Sequence, residues 1–267
     1  MYIRNATRLI KANLVLFCFS FSAFYGCDAQ EFSIQVMGVN SIDTNSCLPQ
    51  TGQGSFLLSR GTIDLVLAND YEANLSVISL LQNTLVANNL DPDDGYINTT
   101  DINLTNAVIR YIDIDEVGLG FEEELNVPLA GLLIAGSPNP VNQKVTIITN
   151  AMANNLRDSG LYNGRNANGR ISPTRGSFTL VVAIKLQGKT LDGKRVESNE
   201  ISFPIDLCTG CRVSTQGRGD SCDMISEEEE DILSVCPSGI GKDNIFASCA
   251  LCKQMAVDEN FAPLCEN

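Results

Sequence analysis

The chain has 267 residues, 44% of them hydrophobic and 19% charged, so it can bury a sizeable core and does not have the composition of a disordered protein. Its net charge of −14 repels phosphate backbones, which excludes nucleic acid as an expected partner. It contains no His, so Ser-His-Asp and Cys-His catalysis, His-ligated metals and haem attachment through CxxCH are excluded. A hydrolase with paired carboxylates stays open as an alternative, but the sequence singles out no such pair. We therefore expect a protein without catalysis and without a cofactor.

The amino terminus follows the pattern of a secretory signal peptide. Arg4, Arg8 and Lys11 provide positive charge, and residues 14–25 form an apolar run of 12 residues. Such a run is too short to cross about 30 Å of hydrocarbon, so a cleaved signal over residues 1–26 is favoured over a transmembrane helix. Its removal would change the net charge from −14 to −17, since the segment carries three positive and no negative side chains.

Two modes of cleavage are compatible with the end of this segment. The residues before Cys27 resemble a bacterial lipobox, with Gly26 as the small residue preceding a cysteine that becomes lipidated. Phe24 and Tyr25 differ from the usual lipobox residues, and cleavage after Ala29 is the alternative. Lipidation of Cys27 predicts a membrane partner through the lipid anchor, in the envelope of a Gram-negative bacterium. Cleavage after Ala29 predicts a secreted protein.

The segment that follows the signal gives way to a series of predicted strands. Residues 27–60 are interpreted as a linker and irregular segment, because Asn, Ser, Thr and Gly interrupt their short apolar runs. Pro128 cannot donate to a ladder, so its strand is expected at an edge or a bulge. Residues 161–174 are expected to be a loop. Short strands are predicted over residues 62–68, 75–90, 107–114, 125–134 and 144–149, and a short helix over residues 150–157 capped by Thr149 or Asn150.

A long β-hairpin follows over residues 176–211. Every second residue from 178 to 186 is large and apolar, which is the period of a half-buried strand. Asp192 and Gly193 predict a two-residue type I′ turn, with Leu191 opposite Lys194. This register places four apolar pairs on one face: Phe178 with Leu207, Leu180 with Ile205, Val182 with Phe203, and Ile184 with Ile201.

Strand alternation stops at Cys208, where a cysteine-rich tail begins. The tail predicts a helix after the capping box at residues 226–229 and a second helix from Asn244. The sequence therefore predicts an all-β protein, with an antiparallel two-layer β-sandwich over residues 61–207, immunoglobulin-like in outline. A small cysteine-rich, partly helical tail over residues 208–267 completes it.

Eight cysteines are available for pairing after either mode of cleavage, because Cys27 is either lipidated or removed. The spacings Cys208-x-x-Cys211 and Cys249-x-x-Cys252 would suggest a zinc site in a cytosolic protein, whereas an exported chain favours disulfides. A redox role is disfavoured because neither CxxC follows a βαβ pattern. Eight cysteines allow 105 pairings, and Cys47 is expected to connect the sandwich to the tail. The predicted disulfide cysteines are Cys47, Cys208, Cys211, Cys222, Cys236, Cys249, Cys252 and Cys265.

An acidic segment between two predicted strands is a weak candidate for calcium. A shortened loop could gather carboxylates, but an ordinary Pro-Asp-Asp-Gly turn is favoured and no metal site is predicted. A secreted calcium- or zinc-binding recognition module stays as the alternative function. The weak candidate ligands are Asp91, Asp93, Asp94 and Asp101.

After the predicted signal peptide, three N-x-Ser/Thr sequons, at Asn74, Asn98 and Asn103, are glycosylation sites only in a eukaryotic secreted protein. If the lipobox interpretation holds, they are coincidental. The lipobox interpretation therefore predicts unmodified asparagines.

Several segments together resemble a group of cell-envelope lipoproteins of delta-proteobacteria, of myxobacterial type. The matching parts are the signal ending in Gly26-Cys27, GTIDLVL at residues 61–67 followed by Tyr71, the hairpin GKTLDGKRVESNEISFPIDLCTGC, and CPSGIGKDNIFASC in the tail. The resemblance implies an exported, anchored, disulfide-bearing β-protein and carries no activity. The expected function is a structural or binding role in the envelope, with an envelope protein or polysaccharide as partner.

Overall fold

A computed structural model describes residues 32–43, 46–50, 57–88, 97–112, 123–158, 163–165, 171–173, 177–213, 241–243, 245–247, 251–252 and 254. These residues belong to one compact unit that begins at Phe32. The signal segment and the capping box at residues 226–229 lie outside the described residues.

The described residues form strands with short helical segments between them. The strands are β1 (Ile34–Asn40), β2 (Leu57–Leu58), β3 (Gly61–Asp64), β4 (Tyr71–Ser79), β5 (Ile102–Ile112), β6 (Glu124–Leu133), β7 (Val141–Ile148), β8 (Asn163–Arg165), β9 (Ile171–Pro173), β10 (Ser177–Thr190), β11 (Arg195–Glu197) and β12 (Ile201–Cys208). The helices are α1 (Thr84–Ala87) and α2 (Asn150–Asp158).

Two sheets enclose one apolar core, which confirms the predicted all-β sandwich. The smaller sheet has the order β2-β1-β4-β7, and the larger has the order β3-β12-β10-β5-β6, with β11 paired to β10. Alternate residues of both sheets are buried in the same cluster, as the periods of β4 and β5 require. Most pairings are antiparallel, but β3 runs parallel to β12, with Ile205 opposite Gly61 and Cys208 opposite Asp64.

β1 corrects the interpretation of residues 27–60 as irregular. It pairs with β4 in the smaller sheet and buries Ile34, Val36 and Val39. The pairing shifts between Val36 and Gly38, so the buried positions do not keep a period of two along the strand. This bulge removes the alternation by which a strand is recognised in a sequence.

The hairpin of β10 and β12 has the predicted register along its buried part. Phe178 faces Leu207, Leu180 faces Ile205, Val182 faces Phe203 and Ile184 faces Ile201. The turn differs from the prediction, because Thr190 pairs with Lys194 across a three-residue loop. Gly193 has φ +91°, the left-handed conformation that closes such a loop with a bulge.

A second irregularity, at residues 198–200, restores the register and connects the two sheets. Near the turn, Lys189 faces Arg195, and this register is shifted by one residue from that of the Ile184–Ile201 pair. The segment between β11 and β12 therefore contains one more residue than the opposite part of β10. Asn199 projects there onto β1. Its Oδ1 accepts the Val36 N–H at 2.8 Å and its Nδ2 donates to the Val36 carbonyl at 3.1 Å.

Other predicted elements are confirmed in part. β6 is an edge strand with a register shift against β5 next to Pro128, so both consequences expected of that proline are present. α2 matches the predicted helix, with Thr149 Oγ1 accepting the Met152 N–H at 3.3 Å. The strand predicted over residues 75–90 ends at Ser79, and α1 lies within the same segment. The predicted loop at 161–174 contains β8 and β9.

Candidate functional site

The last strand of the larger sheet ends in a tight turn that contains two cysteines. Cys208 is 4% exposed at the end of β12, whereas Cys211 is exposed. Gly210 has φ +71° and allows the chain to reverse between them. The two cysteines form a disulfide with their Cα atoms 5.9 Å apart. We call residues 208–212 the CTGC turn.

Asp64 lies beneath the CTGC turn and is fully buried. Its Oδ1 accepts the N–H groups of Val66 at 3.0 Å and Gly210 at 2.9 Å, and its Oδ2 accepts the N–H of Arg212 at 2.9 Å. Burial raises the pKa of the Asp64 carboxyl, and these three N–H groups and the nearby Arg212 charge partly offset the increase. The carboxyl therefore holds together the turn after β3 and the CTGC turn.

The Asp64 carboxyl is also close to the sulfur atoms. Its nearest ligand atom and the two Sγ atoms of Cys208 and Cys211 all lie within 4.8 Å of one another. A zinc site requires free thiolates, whereas these two sulfurs are joined to each other. The arrangement is therefore a disulfide beside a buried carboxyl.

A second carboxyl, that of the half-buried Asp243, attaches a tail segment to the same edge of the sandwich. Its Oδ1 accepts the Thr62 N–H and the Tyr71 hydroxyl, both at 2.9 Å. Burial raises the pKa of Asp243, and burial together with the Asp243 charge raises the pKa of Tyr71 well above its usual range. A Cβ at Gly61 would lie 2.3 Å from the Tyr71 Oη, so this packing requires glycine.

The described tail residues pack on the loop that follows β3. They form a small apolar cluster with that loop, in which Cys47 is also packed. Arg212 lies over the Phe246 ring, 5.0 Å from its centroid, and its carbonyl accepts the Ala247 N–H. The buried members of the cluster are Val66, Leu67, Ile245, Ala247, Leu251 and Cys252.

The conformation of this tail segment differs from the prediction. A helix was expected from Asn244, but the described residues 245–247 are not helical, and Ala247 forms a bridge with Val213. Helical geometry is present at Leu251 and Cys252. The apolar residues are buried against the sandwich as expected of a docked segment. Ala247 is not helical because its backbone pairs with Val213, which follows the CTGC turn.

Arg157 of α2 fixes the loop after β3 from the other side. It is buried, and its Nε donates to the Leu65 carbonyl at 2.6 Å while Nη2 donates to the Ala68 carbonyl at 3.0 Å. Its guanidinium also bonds the side chains of Asn69 and Asn154. The loop that carries Asp64 is therefore held by an arginine on one side and by the CTGC turn on the other.

The structure places only some of the predicted disulfide cysteines. Cys208 and Cys211 are bonded to each other, and Cys47 and Cys252 are each disulfide-bonded. Cys47 packs against the tail cluster, and a disulfide from it to the tail stays a prediction. Cys27, Cys222, Cys236, Cys249 and Cys265 lie outside the described residues.

The weak calcium candidates are only partly described. Asp91, Asp93 and Asp94 lie outside the described residues. The Oδ1 of Asp101 accepts the Asn98 side-chain amide and the Ala135 N–H, the second at 2.9 Å. This carboxylate therefore holds the ends of β5 and β6 together.

The sequon asparagines are part of the fold. Asn98 is buried, and its Oδ1 accepts the Thr84 N–H at 3.1 Å and hydroxyls of Thr84 and Thr100 at 2.8 Å. Asn74 and Asn103 lie within β4 and β5. At Asn98 the hydrogen bonds give the residue a structural role that does not require a glycan.

The outer face of the larger sheet carries an open polar groove of about 270 Å³. It lies where the β5–β6 and β5–β10 pairings shift register, at Asn106 and Gly188. Asn106 Nδ2 donates to Gln187 Oε1 at 2.8 Å, and Gln187 Nε2 donates to Glu197 Oε1 at 3.2 Å. We call this surface the amide groove, lined by Thr105, Asn106, Gln187, Gly188, Lys189, Arg195, Val196 and Glu197.

Comparison with known proteins adds no family to this description. No protein-family model and no curated protein matches the chain. Within the described ranges, no helix is long and apolar enough to cross a membrane.

Proposed function

We propose that the chain is an exported cell-envelope protein, anchored by a lipid on Cys27, with a structural or binding role and without catalysis. The observation that carries the proposal is the set of disulfide-bonded cysteines, Cys47, Cys208, Cys211 and Cys252. Disulfides persist in oxidising compartments outside the cytoplasm. The export pattern over residues 1–26 and the resemblance to delta-proteobacterial envelope lipoproteins support the same location.

The amide groove is the surface that we assign to the binding role. Lys189 and Arg195 are exposed at its rim, and the side-chain amides within it present both donors and acceptors. A groove of this kind suits a polar ligand, and an envelope polysaccharide is the partner that we propose. The positive rim on an acidic protein favours a ligand that carries negative charge.

Metabolic labelling with a palmitate analogue tests the anchor. We expect label on the wild-type protein and none on Cys27→Ala, with both fractionated between membrane and soluble extracts. A wild-type protein that takes up no label would refute the lipid anchor and leave cleavage after Ala29 as the explanation.

Capture of envelope polysaccharide by the purified mature protein tests the binding role. We expect the double variant Lys189→Glu/Arg195→Glu to lose capture. Lys194→Glu, which makes one of the same charge reversals at the exposed hairpin turn outside the groove lining, should retain it. Equal capture by all three proteins would refute the assignment of the groove.

A further inference from the structure

The Cys208–Cys211 bond adds little stability to the CTGC turn beyond what the other contacts of the turn provide. It closes a loop with a sequence separation of only 3, and a short loop constrains the unfolded chain less than a long one. The same turn is already fixed by the N–H groups of Gly210 and Arg212 on the Asp64 carboxyl. Stability alone therefore gives a weak reason for a disulfide at this place.

The two sulfur atoms differ in the way that thiol–disulfide exchange requires. Cys211 is exposed and open to an attacking thiolate, whereas Cys208 is buried beside the Asp64 carboxyl. An incoming thiolate would therefore meet Cys211 first and leave Cys208 as the departing group.

Asp64 is suited to serve that departing group. Its hydrogen bonds are made to backbone N–H groups, and in the part of the chain that the structure describes it forms no ion pair. Because it is buried, it retains a proton to a higher pH than an exposed carboxyl. A protonated carboxyl next to a forming thiolate can act as a general acid.

We propose that Cys208–Cys211 is a thiol–disulfide exchange site that oxidises a partner dithiol, with Asp64 donating a proton to the Cys208 sulfur. One thiolate of the dithiol attacks Cys211 Sγ and forms a mixed disulfide. The Cys208–Cys211 bond breaks, and its electron pair leaves with Cys208, which takes the Asp64 proton. The second thiolate of the partner then attacks the partner sulfur that is bonded to Cys211 in the mixed disulfide, so the partner disulfide forms and Cys211 leaves as a thiolate. Solvent protons replace those used, and two electrons pass from the dithiol to the protein.

Other charged groups lie on the elements around Asp64, and one of them provides a control substitution. Arg212 comes from the CTGC turn, Arg157 from α2 bonds the Leu65 carbonyl, and Lys242 and Asp243 come from the tail segment. Asp243 is half-buried and shares the direction of its pKa shift with Asp64, but it bonds Thr62 and Tyr71 instead of the CTGC turn. A substitution at Asp243 therefore separates general effects of a nearby carboxyl with a raised pKa from the proposed proton transfer.

The first experiment measures reduction of this bond by dithiothreitol in the purified mature protein. Alkylation before and after reduction, followed by trypsin, reports on it directly, because the tryptic peptide 196–212 contains Cys208 and Cys211 and no other cysteine. We expect this disulfide to be reduced at least about 10-fold faster than those of Cys47 and Cys252. Reduction at the same rate as the other disulfides would overturn the proposal.

The second experiment measures the rate constant per dithiothreitol thiolate as a function of pH. In the wild-type protein we expect a fall on the order of 100-fold as Asp64 loses its proton, which is the lower end of general acid catalysis. Asp64→Asn should give a flat profile and Asp243→Asn the wild-type profile. A flat wild-type profile, which does not depend on any variant folding, would overturn the role of Asp64.

The third experiment identifies the attacked sulfur. In Cys208→Ser the free Cys211 should react with an aromatic disulfide probe at least about 10-fold faster than the free Cys208 of Cys211→Ser, since reactivity follows access. Faster reaction at Cys208 would overturn the assigned order of attack.

Discussion

Replacement of Asn199 by Ala should destabilise the sandwich more than its position between two strands would suggest. The substitution removes both hydrogen bonds to Val36, which is 2% exposed. Each bond contributes about 1 kcal/mol, and a buried N–H or C=O left without a partner costs about 1–3 kcal/mol. We expect the free energy of unfolding to fall by about 2–4 kcal/mol, which lowers Tm by roughly 5–12 °C for a domain of this size.

Urea unfolding followed by far-UV circular dichroism measures this change, since the chain has no Trp to report it by fluorescence. Asn126→Ala, on the exposed face of β6, is the matched control and should change the free energy of unfolding by less than about 0.5 kcal/mol. Asn199→Asp keeps the acceptor for the Val36 N–H and loses the donor, so it should fall between the two. A value for Asn199→Ala equal to that of Asn126→Ala would show that this side chain does not connect the sheets.

Three further predictions concern the edge where the tail is attached. Gly61→Ala should lower the free energy of unfolding by about 1–3 kcal/mol, because the added Cβ meets the Tyr71 Oη. The loss should be smaller in a Tyr71→Phe background, which a double-mutant cycle by thermal melting measures, and additive effects of the two substitutions would contradict this contact. Burial raises the folded pKa of Asp243 above 3.8, so the folded state binds more protons than the unfolded state. The stability of the wild type relative to Asp243→Asn should therefore be greatest below pH 3.8 and fall as pH rises through the folded pKa. Urea titrations at a series of pH values that show no such trend would refute this prediction. Reduction of all disulfides should increase hydrogen exchange after residue 208 far more than in β10 and β12, because alternating apolar pairs hold the hairpin. Equal loss of protection in both regions would contradict the view that disulfides stabilise the tail and apolar packing stabilises the hairpin.

The buried part of the hairpin was predictable because its stability comes from a simple period. Phe178, Leu180, Val182 and Ile184 alternate without interruption, and a shift by one residue would expose them all. The turn was not predictable from Asp192-Gly193 alone. A three-residue loop also places glycine at its left-handed position. The register shift that this loop causes is corrected at residues 198–200, a polar segment in which no apolar alternation marks the shift.

The candidate site was harder to find in the sequence. Asp64 stands inside the apolar run of residues 63–68, and a charged residue in such a run is a signal of a buried carboxyl with partners. Its partners, however, are the N–H groups of Gly210 and Arg212, which are brought to it only by the parallel pairing of β3 with β12. No local pattern predicts a contact between residues so far apart in the chain.

The same pairing has a consequence for the order in which the chain can fold. β3 emerges early from the ribosome, but the described strand that it pairs with in the larger sheet is β12, which is synthesised about 145 residues later. Contacts of such long sequence separation form slowly, because a long loop must be closed before they stabilise anything. The larger sheet therefore cannot be completed until β12 has been synthesised. The contacts of Asp64 with the CTGC turn can form only after residue 212 has been added, so the N–H partners of this carboxyl are supplied late in synthesis.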